Sequence, residues 1–290
     1  MKKALVALLS IAIAFTALAP AQAEDQKVLA VIDSAIKSEK FSSIIYEACF
    51  TVGKTCPNGT NFMEGKGSAS APWPTSINNG TYHGDSMVKA ALVANPNIKI
   101  VFVRYSDVSA LGNSLSSPDA LVNAIKWVSD NADKYSIDAV SISQSSVSVN
   151  NLNRCKTDNI LISSVGSLKL KNIPTFVATG NDKRSDVVGF PACVEGAIGV
   201  GALANISQLE TASNRGPGLD LVAFSKVSIT KANNISWFDL SGSSSSTAVS
   251  ASAYLAKNKF ATFAEYFNSL PKIAVKFIDG KSAVISYSSL

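Results

Sequence analysis

Between residues 28 and 224, short apolar runs alternate with polar stretches of helical pattern. The runs are 28–32 (VLAVI), 99–105 (KIVFVRY), 139–142 (AVSI), 175–178 (TFVA), 198–200 (IGV) and 221–224 (LVAF). Most are apolar at consecutive positions, the pattern of strands buried on both faces. The intervening stretches predict helices over 85–93, 118–131, 158–168 and 244–258. Ser117-Pro118-Asp119 opens the second with a capping serine and a proline at the first helical position. The fourth is rich in Ala and Ser, side chains small enough for close interior packing. Residues 50–80 are rich in Gly, Pro, Asn, Ser and Thr and read as a long loop. Near the C-terminus, 273–277 and 283–287 flank Asp279-Gly280, a hairpin-type turn. The expected fold is α/β and three-layered, with a mainly parallel central sheet flanked by helices.

The first residues follow a different logic. Lys2 and Lys3 precede an apolar run over 4–18, and Ala21-Gln22-Ala23 supplies a small-x-small cleavage pattern. Residues 1–23 therefore read as a signal peptide, with an uncleaved anchor as the alternative. Residues 24–290 carry no internal repeat and no linker, so one domain is expected there. No later segment is apolar for long enough to cross a bilayer, so no membrane association is expected after cleavage. The net charge of +5 falls to +3 without Lys2 and Lys3, and the charges are scattered. Nucleic-acid binding gains no support from that distribution. The cysteines are Cys49, Cys56, Cys155 and Cys193. An even number in an exported chain favours two disulfides, and proximity favours Cys49–Cys56 with Cys155–Cys193. Buried free thiols are the alternative. Zinc is disfavoured, since no C-x-x-C pair occurs and the chain has one histidine.

Three residues sit where strands end or helices begin, the edge at which sites form in open α/β sheets. Asp33 ends the 28–32 strand, where a carboxylate needs a partner. His83 directly precedes a predicted helix. Ser244 lies in Ser241-Gly242-Ser243-Ser244-Ser245-Ser246, ahead of the Ala-rich helix, whose N-terminus favours developing negative charge. Taken singly these are a loop cap, a surface histidine and a flexible serine loop. Together they supply a nucleophile, the base that takes its proton, and the carboxylate that holds the base.

Further segments make the chain resemble the subtilisin-like serine peptidases over about 28–255. Residues 28–34 (VLAVIDS) resemble the strand carrying the family's catalytic Asp, and His83-Gly84 before a helix resembles its His motif. Residues 173–181 (IPTFVATGN) are similar to the strand ending in the family's oxyanion-hole Asn. Phe190-Pro191-Ala192, 198–202 (IGVGA), 213–218 (SNRGPG) and 219–223 (LDLVA) continue that pattern, and Gly242-Ser243-Ser244 stands where the family has Gly-Thr-Ser. The resemblance implies a triad of Asp33, His83 and Ser244, with Asn181 donating to the oxyanion. It implies a substrate strand and pocket drawn from Ser143, Gln144, Ser145, Ala178, Thr179 and Gly180. Calcium is common in such proteins, but no Asp-rich loop identifies a site here, and no cofactor is expected.

The chain also departs from the family pattern. Ala35 replaces a Gly, Asp85 a Thr, Gln144 an apolar residue, and Ser245 and Ala248 a Met and a Pro. An inward Asp85 would raise the histidine pKa; as a helix cap it would point outward. Only residues 24–27 separate the cleavage site from the first strand, so no folding propeptide is evident. The leading expectation is a monomeric, secreted or cell-envelope serine endopeptidase acting on peptide or protein substrates. The alternatives are an inactive subtilisin-like peptide-binding module and, from another class, a periplasmic solute-binding protein.

Overall fold

The computed structural model describes residues 26–71, 82–108, 114–230, 237–257, 260–277 and 280–288. The signal segment, residues 72–80 of the expected loop, Asn258 and Asp279 lie outside them. The strands are β1 (Val28–Asp33), β2 (Ile44–Phe50), β3 (Phe62–Glu64), β4 (Lys99–Arg104), β5 (Ser106–Val108), β6 (Ser114–Ser116), β7 (Ile137–Ile142) and β8 (Thr175–Ala178). After them come β9 (Ala197–Asn205), β10 (Gln208–Leu209), β11 (Leu221–Phe224), β12 (Val227–Thr230), β13 (Trp237–Leu240), β14 (Lys272–Lys276) and β15 (Ser282–Ser288). The helices are α1 (His83–Ala94), α2 (Pro118–Asn131), α3 (Val149–Thr157), α4 (Asn159–Leu170), α5 (Ser243–Leu255) and α6 (Phe263–Ser269).

The main sheet is mixed, with the order β10-β14-β15-β11-β9-β8-β7-β1-β4-β2-β3. Within it, β1 pairs in parallel with β4 and β7, and β8 with β7 and β9. Near the edges, β3 runs antiparallel to β2, and β14 antiparallel to β15. Strand β1 explains the consecutive apolar pattern, since all six of its residues are buried. Val28, Ala30 and Ile32 pack with residues of α2 and α4, whereas Leu29 and Val31 pack with residues of α1 and α5. Alternate side chains thus enter cores on opposite faces. Each fully buried Val, Ile or Leu contributes about 1.5–3 kcal/mol.

Ser117 caps α2, accepting from the Ala120 N–H, with Pro118 at the first turn. The Ala and Ser side chains of α5 are nearly all buried, and Ser252 Oγ donates to the Ala91 carbonyl of α1 at 2.7 Å. Cys49 bonds to Cys56 and Cys155 to Cys193, the expected pairing.

Some elements differ from the sequence reading. Strand β3 lies inside the expected loop, and β2 carries a charge at its centre. That charge, Glu47, is buried and accepts from the Gly67 and Ala69 N–H groups, so it pins residues 65–69 onto the sheet. Helix α3 was not anticipated because it is short and polar and buries only Cys155.

Candidate active site

Strands β1, β7 and β8 are parallel neighbours, so their C-terminal ends share one edge of the sheet. That edge receives Asp33 from β1, Ser143–Ser145 from beyond β7, and Thr179–Asn181 from beyond β8. The starts of α1 and α5 bring His83 and Ser244 there. Asp33 is fully buried and half-buried His83 reaches it, with Nδ1 2.8 Å from Asp33 Oδ1. The Ser34 N–H donates to the same oxygen at 2.6 Å, and Oδ2 has no hydrogen-bond partner among the described residues. Burial is the largest influence on His83 and lowers its pKa. The Asp33 charge and hydrogen bond outweigh it, and the net effect is a pKa above the ordinary histidine value.

The helix start at His83 requires glycine at the next position. A Cβ on Gly84 would lie 2.6 Å from the Phe102 ring and 2.7 Å from the Ala35 carbonyl oxygen. Ala35 is fully buried and packs with Tyr82, so its extra methyl is accommodated. Asp85 caps α1, accepting from the Tyr82 N–H at 3.2 Å. It does not point outward: it is buried and also accepts from the Lys37 N–H at 2.8 Å. Burial raises its pKa, opposed by those two bonds and by the Lys40 and Lys37 charges.

The serine run separates clearly by environment. Ser243, Ser245 and Ser246 are fully buried. Ser245 Oγ donates to Ser225 O at 2.5 Å, and Ser246 Oγ to Ala223 O at 3.0 Å. Ser244 alone among the four is partly exposed. Its hydroxyl donates to the Ser143 carbonyl at 2.9 Å, while Ser143 Oγ donates back to the Ser244 carbonyl at 2.9 Å. Among the described residues, Ser244 Oγ makes no hydrogen bond to His83.

Asn181 is exposed and anchored at one end. Its Oδ1 accepts from Ser243 N at 2.9 Å and from Ser243 Oγ at 3.1 Å. Ser243 Oγ in turn accepts from the Gly180 N–H at 3.1 Å. Gly242 has φ +89°, and a Cβ there would sit 2.8 Å from Asn181 Nδ2. Sequence reasoning gave Ser243 no role. Its place in the Gly-Ser-Ser run before the helix was the available signal. Gln144 Nε2 lies 3.4 Å from His83 Nδ1. Ser145 Oγ donates to the Thr179 carbonyl at 3.2 Å. Ala178 and Thr179 are buried, so they present backbone to the crevice. Among the described residues, no group of three His, Cys, Asp or Glu side chains converges as a metal site requires.

The model of the subtilase family, peptidase family S8, matches residues 25–266. The chain therefore belongs to the subtilase family. A protease of Pseudoalteromonas arctica is similar in structure, with TM-score 0.60, 16% identity, and 79% of this chain and 76% of that one covered. A cold-adapted subtilisin-like serine proteinase has TM-score 0.60 at 18% identity, covering 90% of this chain and 88% of its own. The prenylagaramide maturation protease has TM-score 0.52 at 18% identity, covering 78% and 73%. At these identities the likeness establishes the α/β subtilisin-like fold. A comparison with curated protein sequences finds no match.

Proposed function

We propose that this subtilase is an active serine endopeptidase in which Asp33, His83 and Ser244 form the catalytic triad. The observation that carries the reading is the 2.8 Å contact between His83 Nδ1 and Asp33 Oδ1, at the sheet edge holding Ser244, the one partly exposed serine among Ser243–Ser246. Asp33 fixes the imidazole with its proton on Nδ1, leaving Nε2 as the base. An extended substrate adds to the strand leading into Ser143–Ser145. Its backbone N–H takes the Ser143 carbonyl and releases the Ser244 hydroxyl to turn toward His83. Ser244 then attacks the scissile carbonyl, and the proton passes through His83 to the leaving amine. Asn181 Nδ2 and the Ser244 N–H at the start of α5 meet the oxyanion. Residues 24–290 act as one monomeric domain with a mainly parallel, three-layered frame. The N-terminal leader and the two disulfides favour an exported, secreted or envelope location.

One observation favours a second reading, an inactive peptide-binding module: the Ser244 hydroxyl is bonded to Ser143, not to His83. Hydrolysis decides between them. Purified protein is expected to cleave an internally quenched peptide, and Ser244→Ala to reduce kcat by about 10⁶-fold. A folded wild type that cleaves no peptide in a mixed library contradicts the enzyme reading.

A further inference from the structure

The segments Gln144-Ser145-Ser146 and Thr179-Gly180 meet beside Ser244, and under the proposed mechanism the crevice between them receives the side chain of the substrate residue that supplies the scissile carbonyl. Its floor is Gly189-Phe190, tied to both walls. Ser146 and Phe190 exchange backbone hydrogen bonds of 3.0 and 2.8 Å, and the Gly189 N–H donates to the Thr179 carbonyl at 2.9 Å. Two glycines leave space in this crevice, Gly180 in the wall and Gly189 in the floor. Ser145 Oγ takes up the space at Gly189, where a Cβ would lie 1.9 Å from it; a Cβ on Gly180 would meet Asn214 Nδ2 at 2.4 Å and Ser145 Oγ at 2.7 Å. The same hydroxyl spans the gap by donating to the Thr179 carbonyl at 3.2 Å.

We infer that Ser145 closes this crevice and restricts the residue before the scissile bond to glycine, alanine or serine. The inference rests on the peptidase reading for the identity of the crevice. A longer side chain would have to displace a hydrogen-bonded hydroxyl from between two backbone segments held by their own bonds. A methyl or hydroxymethyl group needs no such displacement. A pocket of this kind discriminates by about 10- to 200-fold for each methylene that it cannot admit.

The test uses the full-length secreted protein and two peptides identical except for Ala or Phe before the cleaved bond. Wild type is expected to favour the Ala peptide by at least about tenfold in kcat/KM. Ser145→Gly is expected to raise kcat/KM for the Phe peptide by about tenfold or more and to lower the Ala-to-Phe ratio by about that factor, with Ser145→Ala intermediate. Equal cleavage of both peptides by wild type, or an Ala-to-Phe ratio unmoved in Ser145→Gly, overturns the inference. The same peptide pair is titrated against Ser244→Ala and Ser244→Ala/Ser145→Gly, following binding by calorimetry. The first should bind the Ala peptide more tightly, and the second should lose that preference. This arm reads the crevice without turnover. An absence of cleavage accompanied by size-selective binding overturns the peptidase reading and supports the crevice assignment, whereas binding without size preference overturns the latter.

Discussion

At the scale of single residues, the site depends on one carboxylate setting one imidazole. Asp33 is buried, with Oδ1 committed to the Ser34 N–H and to His83. Its charge keeps the His83 pKa above the ordinary value of 6.5. A base works only when neutral, so kcat/KM should fall as pH drops through that raised value. Asp33→Asn removes the charge and permits the wrong tautomer. It is expected to lower kcat by about 10⁴-fold and to move the acid limb of the profile to lower pH. A profile measured from pH 5 to 9 checks both; a limb that stays in place contradicts the assigned cause. The sequence made this pair legible because Asp33 ends an apolar strand and His83 has no competing histidine. It left the serine register to spacing, and burial now separates the four serines where residue type could not. Asp85 was legible as a cap but not as a buried one, because its second donor, the Lys37 N–H, lies on a remote segment.

At the scale of elements, the crevice floor hangs on a covalent tie. Cys155 in α3 is bonded to Cys193, a few residues after Gly189, across a separation of 38 residues. Closing a loop of that size in the unfolded chain is worth about 4 kcal/mol by chain entropy alone, and less when the unfolded chain keeps residual structure. Cys155→Ser/Cys193→Ser is expected to lose about 2–4 kcal/mol in urea unfolding, with secondary structure retained. An unchanged midpoint would show that α3 holds the floor without the bond. This element was also the least readable one. A short polar helix that buries one cysteine has too few apolar positions to stand out from a loop. By contrast β1, β4, β7 and β8 were legible as consecutive apolar runs, since they are covered on both faces. The hairpin of β14 and β15 was legible in outline, but not its union with β11, because pairing between distant strands leaves no local signature.

At the scale of the whole molecule, the site is a meeting of segments that lie far apart in the chain. Residues 33, 83, 143–145, 179–181, 189 and 244 reach one sheet edge only because the strands run side by side in the observed order. The subtilase family and the α/β class could be inferred from the order of the motif blocks. The closure of the crevice could not, because Ser145 and Gly189 meet only in the folded chain. On the proposed reading, Ser244 owes its nucleophilic power to this assembly. Covalent labelling by a fluorophosphonate, located by mass spectrometry of the digested protein, therefore tests the central claim most directly. The account predicts one adduct per molecule, on the peptide containing Ser244, absent in Ser244→Ala and after unfolding in urea. An adduct on Ser243, Ser245 or Ser246, or a folded wild type that takes no label, would contradict it.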